Sequence, residues 1–287
     1  MNEFLQTLAQ YAFLQRSVAA GAMAGVACGL VGSFVVVRRI TYVAGGIAHC
    51  VLGGIGAAVY LRTVQGWDWL DPLYGALVAA LAAAALIGLV SIRYRQREDT
   101  LISALWATGM AVGVLFMRAT PGYAQGLMTY LFGSVLMVSS GDLWLIGGLT
   151  GVILLATVVF YRPLLAVCFD EEHARTRGIR AEVYYMLLLG LTALTVVLLA
   201  KVVGIILVIA LLTLPVAVAG HFSRHLWQMM LLAAGLSVAL TFGGQALSYV
   251  YNLPTGAVII VLSAIVYTAS FVGHRVRAHL RHRRKSR

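Results

Sequence analysis

The sequence predicts an all-α fold, a polytopic transmembrane bundle of eight or nine membrane helices with one short cytoplasmic helix. Three observations predict it. Of 287 residues 61% are apolar and only 11% charged, the mean hydropathy is +0.91, and long apolar runs recur along the whole chain. A soluble domain carries about 45–50% apolar and about 25% charged residues, so this balance excludes a cytosolic globular enzyme. A hydrocarbon core about 30 Å thick is crossed by about 20 helical residues, which is the length of these runs.

In chain order, the runs place spans near 12–37, 42–62, 72–92, 100–117, 143–161, 182–200, 202–220, 227–250 and 255–273. The opening MNEFLQTLAQ has neither a basic start nor a small-residue cleavage site, so the first span is expected to act as the insertion signal. Arg38-Arg39, Arg93-Arg95-Arg97 and Arg175-Arg177-Arg180 fall in alternate loops, all on one side if the N-terminus is outside. Seven of the 21 basic residues crowd into positions 275–287. Such residues mark the cytoplasmic side and touch anionic lipid headgroups. The net charge of +11 is therefore read as topology and membrane-lipid contact in a multi-pass plasma (inner) membrane protein, with no nucleic-acid partner.

On the opposite side TVQGWDWLD brings Trp67 and Trp69 to an interfacial belt. The apolar stretch 126–140 is too short for a full span and reads as a re-entrant or interfacial segment. Ala200-Lys201 leaves almost no loop between two spans, so that hairpin turns at the membrane boundary. The domain reading is one membrane domain over 1–273 and a basic cytoplasmic tail over 274–287.

Glycines at four-residue spacing, Gly21-Gly25-Gly29, Gly109-Gly113 and Gly147-Gly151, read as close helix contacts. Cys28, Cys50 and Cys168 fit no C-x-x-C or zinc-ribbon spacing and read as small buried hydrophobes.

There is no G-x-x-x-x-G-K-[ST] loop to cradle nucleotide phosphates, and the only lysines are Lys201 and Lys285. Any ATP chemistry belongs to another chain. No H-E-x-x-H or H-x-x-E-H pair supports a membrane metalloprotease, so the chain reads as a transport subunit rather than an enzyme.

Ionisable groups within spans are costly and mark function by default. His49 is the clearest case, set among Gly45, Gly46, Gly53 and Gly54, which would leave open space around its ring. Its imidazole suits zinc and related divalent ions, and Cys50 is a possible second donor. Adjacent helical residues diverge by about 100°, which works against their sharing one ion. In FDEEHARTRG, acids precede bases in a short polar helix that complements the macrodipole, and Gly178 fits its stop. Asp170, Glu171, Glu172 and Arg175 are the candidate docking residues, with Gly178 ending the element. His221 and His225, four apart, would share a helix face at a membrane edge, a spacing that can bind metal. His274, His279 and His282 sit among arginines and read as part of the tail.

Four ordered motifs carry a resemblance over essentially the full length: GLVGSFVVVRRITYVAGGIAHCVLGGIG at 29–56, MTYLFGSVLMVSSGDL at 128–143, FDEEHARTRGI at 169–179 and KVVGIILVIALLTLPVAVAG at 201–220. They resemble the ABC-type zinc, manganese and iron permeases. The resemblance implies a homodimeric permease bound to cytoplasmic ATPase subunits and fed by an extracytoplasmic metal-binding protein. It also implies import by alternating access, with 169–179 as the coupling loop. The family's pathway segment reads G-D-x-L-S/A-H. His49 stands at its histidine, and Gly45 stands where the family has aspartate. Losing that carboxylate leaves a neutral, softer site, which favours zinc over manganese or iron. The rival readings are an ABC permease for a larger metal chelate or siderophore and an ion-coupled secondary carrier, the latter expected to show intramembrane carboxylates or internal repeats.

Overall fold

The computed structural model describes residues 7–8, 10–94, 98–121, 138–202 and 204–285, and the regular elements among them are helices. Helix α1 (Ala12–Val37) is followed by α2 (Thr41–Val64), α3 (Pro72–Tyr94), α4 (Glu98–Ala119) and α5 (Ser140–Val159). Two short helices come next, α6 (Tyr161–Phe169) and α7 (Glu171–Thr176). The chain ends with α8 (Ala181–Val202), α9 (Ile205–Phe222), α10 (Leu226–Tyr251) and α11 (Thr255–Lys285). Among the described residues nine helices, α1 to α5 and α8 to α11, are long and apolar enough to cross a membrane, the higher of the two expected numbers.

Helices α1, α2, α8 and α9 form the centre. Helix α2 lies between α3 and α4, while α1 is flanked by α10 and α5. Phe34, Ile47, Leu52, Leu188, Leu189 and Leu212 are fully buried there. Val78, Leu115, Leu155 and Ile265 point outward from the peripheral helices, as lipid contact requires.

Lipid is as apolar as leucine, so close approach of small residues replaces the hydrophobic drive at helix contacts. Two of the three glycine series do this. A Cβ at Gly29 would run into the backbone nitrogen and Cα of Ala234 on α10, and one at Gly109 would lie 2.8 Å from Cys50 Cα on α2. The third does not: Gly147 has only Met23 Sδ at 3.7 Å and Gly151 has nothing within 4 Å. Gly29→Val should therefore destabilise the chain by about 3 kcal/mol, the upper end of overpacking costs, because backbone and not a pliable side chain is struck. Gly151→Val is the internal control. Thermal unfolding in detergent should show a lowered midpoint for the first and none for the second.

The stretch after α5 holds two helices where the sequence led us to expect one. In YRPLLAVCF, Leu164, Val167 and Cys168 fall at helical spacing and bury one face of α6. Most of the short segment expected to be re-entrant, 126–137, lies outside the described residues. Its end is a capping box: Ser139 Oγ accepts from the Asp142 N–H at 3.2 Å, and Asp142 Oδ2 accepts from the Ser139 N–H at 3.1 Å. Lys201 Nζ lies 3.1 Å from Asp142 Oδ1, tying α5 to the hairpin of α8 and α9. That hairpin is as tight as expected, with Gly204 at φ +92° turning the chain and its N–H bonded to the Leu199 carbonyl at 3.2 Å. Helix α11 runs on through the basic tail to Lys285.

The arginine-rich ends of α1, α3 and α11, together with α7 and the end of α9, define one end of the bundle, hereafter the basic end.

Candidate functional site

His49 lies in the ninth position of α2, about 12 Å along the helix from its basic end at 1.5 Å per residue. Its ring is half-buried and stacks on Trp106 of α4, with centroids 4.3 Å apart and planes 27° apart. Tyr42, two turns back, stacks on the same indole at 5.7 Å, and its hydroxyl is 3.0 Å from Ser103 Oγ. His49 Nδ1 is buried and has no hydrogen-bond partner. An orphaned buried polar atom costs about 1–3 kcal/mol, so an imidazole left this way holds a lone pair in reserve.

The space that the neighbouring glycines open is not empty, contrary to the expectation from sequence. A Cβ at Gly45 would lie 2.5 Å from Trp106 Cζ3 and 3.1 Å from Ile209 Cδ1 of α9, and one at Gly46 would lie 2.8 Å from Ile102 Cγ2. Gly45 and His49 do share a face, as their four-residue spacing implies. The indole fills it. A carboxylate at position 45 would collide with Trp106, so the missing aspartate and the tryptophan are one arrangement.

Cys50 turns away from this face. Its thiol donates to the Leu105 carbonyl at 3.4 Å, along the helix–helix contact that Gly109 permits. No group of three or more His, Cys, Asp or Glu side chains among the described residues is arranged to hold a metal. A cation reaching His49 would meet one imidazole, aromatic faces and backbone.

The second candidate is α7. Asp170 is its N-cap, accepting from the His173 N–H at 2.9 Å, and Gly178 at φ +77° stops the chain beyond it. Ala174 packs with Val167 and Ala181, which seats α7 on α6 and α8. Glu172 and Arg175 are exposed, with the exposed Phe169 alongside. Glu171 faces inward. Its carboxylate meets Arg38 Nη2 at 2.5 Å and Arg175 Nη2 at 2.8 Å, and Arg175 reaches on to Glu182 of α8 at 2.9 Å. Burial pushes the Glu171 carboxyl up, but Arg38 and Arg175 outweigh it and hold the group below the usual carboxylate range. Arg38 also donates to the Val167 carbonyl, and its guanidinium lies 5.0 Å from the Tyr185 ring centroid. It stands at the end of α1, immediately before Arg39 at φ 63° turns the chain into α2. Cys168, beside it, is pushed by burial up to about 12, with Arg38 opposing in part, and so stays a thiol.

Trp106 and Arg38 were not read as functional from sequence. The tryptophan sat within an apolar run, and the arginine looked like topology alone. The pair His221 and His225 was misplaced, because Ser223 is extended at φ −103°, ψ 146° and breaks the helix between them. His221 lies in the last turn of α9, which ends at Phe222, and His225 occupies the N-cap position of α10.

Residues 10–274 match the family described as ABC 3 transport family. An uncharacterized membrane protein of Synechocystis sp. is 41% identical over 275 residues, covering 96% of this chain and 95% of that protein. The manganese transport system membrane protein MntC of Halalkalibacterium halodurans is 32% identical, covering 93% and 89%. Among solved structures, PsaBC from Streptococcus pneumoniae in complex with Fab superposes with a TM-score of 0.83 at 29% identity, over 94% of this chain and 95% of that one.

Proposed function

The chain belongs to the ABC 3 transport family, and from that premise we propose that it is the membrane subunit of an ATP-driven importer passing a divalent cation, zinc in preference to manganese or iron, along a path lined by His49. It is a multi-pass membrane permease of the metal-transport class. The observation that carries the reading is the unpartnered, buried Nδ1 of His49 within α2, on the face that Trp106 covers.

By the positive-inside rule the basic end faces the cytoplasm. The exposed face of α7, with Asp170, Glu172 and Arg175, docks a cytoplasmic ATPase subunit. A second copy of the chain completes the pathway, and an extracytoplasmic binding protein delivers the ion. ATP-driven movement of α7 pulls on Arg38, and Arg38 moves the turn that begins α2. Trp106 must then slide off the imidazole for a cation to reach it. One ligand is enough for passage because the ion has to leave again.

Metal preference follows from the donor set. Imidazole suits zinc, copper, iron and nickel, whereas manganese leans on carboxylate oxygen, and position 45 offers none. The named manganese transporter among the relatives argues the other way at 32% identity. The deciding experiment is competitive uptake into vesicles holding the assembled transporter. Zinc should outcompete manganese by at least tenfold. Equal competition would end the zinc reading and leave metal transport standing. The same assay checks the coupling of positions 45 and 106. Gly45→Asp alone should depress uptake of both ions, and Gly45→Asp with Trp106→Ala should restore uptake with manganese now preferred.

A further inference from the structure

The fold joins two histidines that the sequence keeps apart. His221, in the last turn of α9, and His274, on α11, have ring centroids 5.2 Å apart and planes inclined by 16°. The geometry points to a second metal site here, at the cytoplasmic mouth of the bundle, which binds an imidazole-preferring divalent cation such as zinc through His221 and His274.

Three features support a site over a plain ring contact. The first is spacing: a metal about 2.1 Å from a ring nitrogen lies about 3.2 Å from that ring's centroid, so two imidazoles on adjacent tetrahedral positions have centroids about 5.2 Å apart. The rings are stacked here and a lone pair lies in its ring plane, so one ring turns about its Cβ–Cγ bond to aim at the shared ion. The second is orientation. His221 Nδ1 lies 3.1 Å from Ser270 Oγ, one turn before His274 on the same helix. A metal-binding histidine almost always gives its other ring N–H to an oxygen acceptor, and in the tautomer whose Nδ1–H donates to Ser270 Oγ, Nε2 keeps its lone pair free. The third is the helix end. His221 sits in the last turn of α9, where the helix dipole favours a cation and offsets part of the repulsion from the basic end, and Arg275, the residue after His274, lies 5.2 Å over the Phe271 ring. No third His, Cys, Asp or Glu joins the pair among the described residues, so water fills the remaining positions. Such a site is reversible and discriminates against manganese, which bonds poorly to imidazole alone.

Its placement assigns a role. A bridging ion staples α9 to α11, and α9 carries Ile209 against Gly45 beside the His49 path. Cargo accumulating in the cytoplasm would thereby hold α9 and slow its own entry; this half of the inference rests on the transport reading above.

The test titrates zinc alone into the purified full-length chain carrying His49→Ala, which removes the path ligand. One equivalent should bind. His221→Gln or His274→Gln on that background should weaken binding at least tenfold, while His274→Cys, which supplies a thiolate, should restore it as a packing role would not. Unchanged affinity in both glutamine variants, or failure of cysteine to rescue a folded protein, overturns the site. In vesicles of the whole transporter, zinc on the ATP-accessible side should inhibit uptake, and His274→Gln should raise the inhibiting concentration at least tenfold. Equal inhibition of both proteins overturns the regulatory role. Absence of uptake in the parent transporter would count against the transport reading alone, since the titration needs no transport.

Discussion

Replacing His49 by alanine will take metal uptake to background while leaving the bundle folded and able to bind its ATPase. Losing a residue that merely orients a metal ligand costs about 10–100-fold, so losing the ligand itself should cost more than about 100-fold. The variant also separates a functional histidine from a structural one. A core histidine is held by hydrogen bonds, and its removal destabilises. His49 Nδ1 has no partner, so alanine deletes an unsatisfied group at the expense of one ring contact with Trp106. The unfolding midpoint should stay within a few degrees of the parent or rise. Uptake at the parental rate in His49→Ala vesicles would remove the residue from the pathway.

Arg38→Ala will uncouple ATP hydrolysis from transport. Arg38 meets Glu171, the Val167 carbonyl and the Tyr185 ring at once, and it joins the α7 region to the α1–α2 turn. Its side chain is 18% exposed and that of Glu171 is 35% exposed, so water screens part of the ion pair. The larger loss is the Val167 carbonyl and one Glu171 carboxylate oxygen left without the Arg38 donor, Arg175 still holding the other oxygen, together about 2 kcal/mol. Metal moved per ATP should fall about tenfold. Lysine should rescue only in part, because a single ammonium cannot repeat the two-pronged donation of guanidinium. An unchanged ratio of metal to ATP would show that force reaches α2 by another route.

The same bridge has a pH signature. Glu171 titrates lower in the folded chain than its ordinary value, so its contribution to stability is fully present above the ordinary carboxylate range. It fades as pH falls through the lowered value. The stability difference between the parent and Glu171→Gln should therefore be full at neutral pH and vanish in acid, as read from unfolding midpoints.

Span number, the one-sided run of arginines and the capped helix after Phe169 were legible because each is written locally. Apolar length sets a crossing, charge sets its side, and an aspartate three residues before a free N–H sets a cap. His49 was legible as a candidate, since an imidazole in an apolar run stands out against its neighbours. Its surroundings were not. Whether Gly45 opens a void or admits an indole depends on which helix lies alongside α2, and that is decided by glycines at 53 and 56 meeting those at 109 and 113.

The sequence by itself determined that this is a polytopic membrane bundle, and it singled out His49 as an imidazole set within an apolar span. Only the tertiary structure decided that Trp106 covers that imidazole, that Arg38 braces α7, and that His221 meets His274 and not His225. The reason is physical. Hydropathy and capping act between near neighbours in the chain, whereas these three pairings join residues dozens to more than a hundred positions apart, which only the packing of helices can bring together.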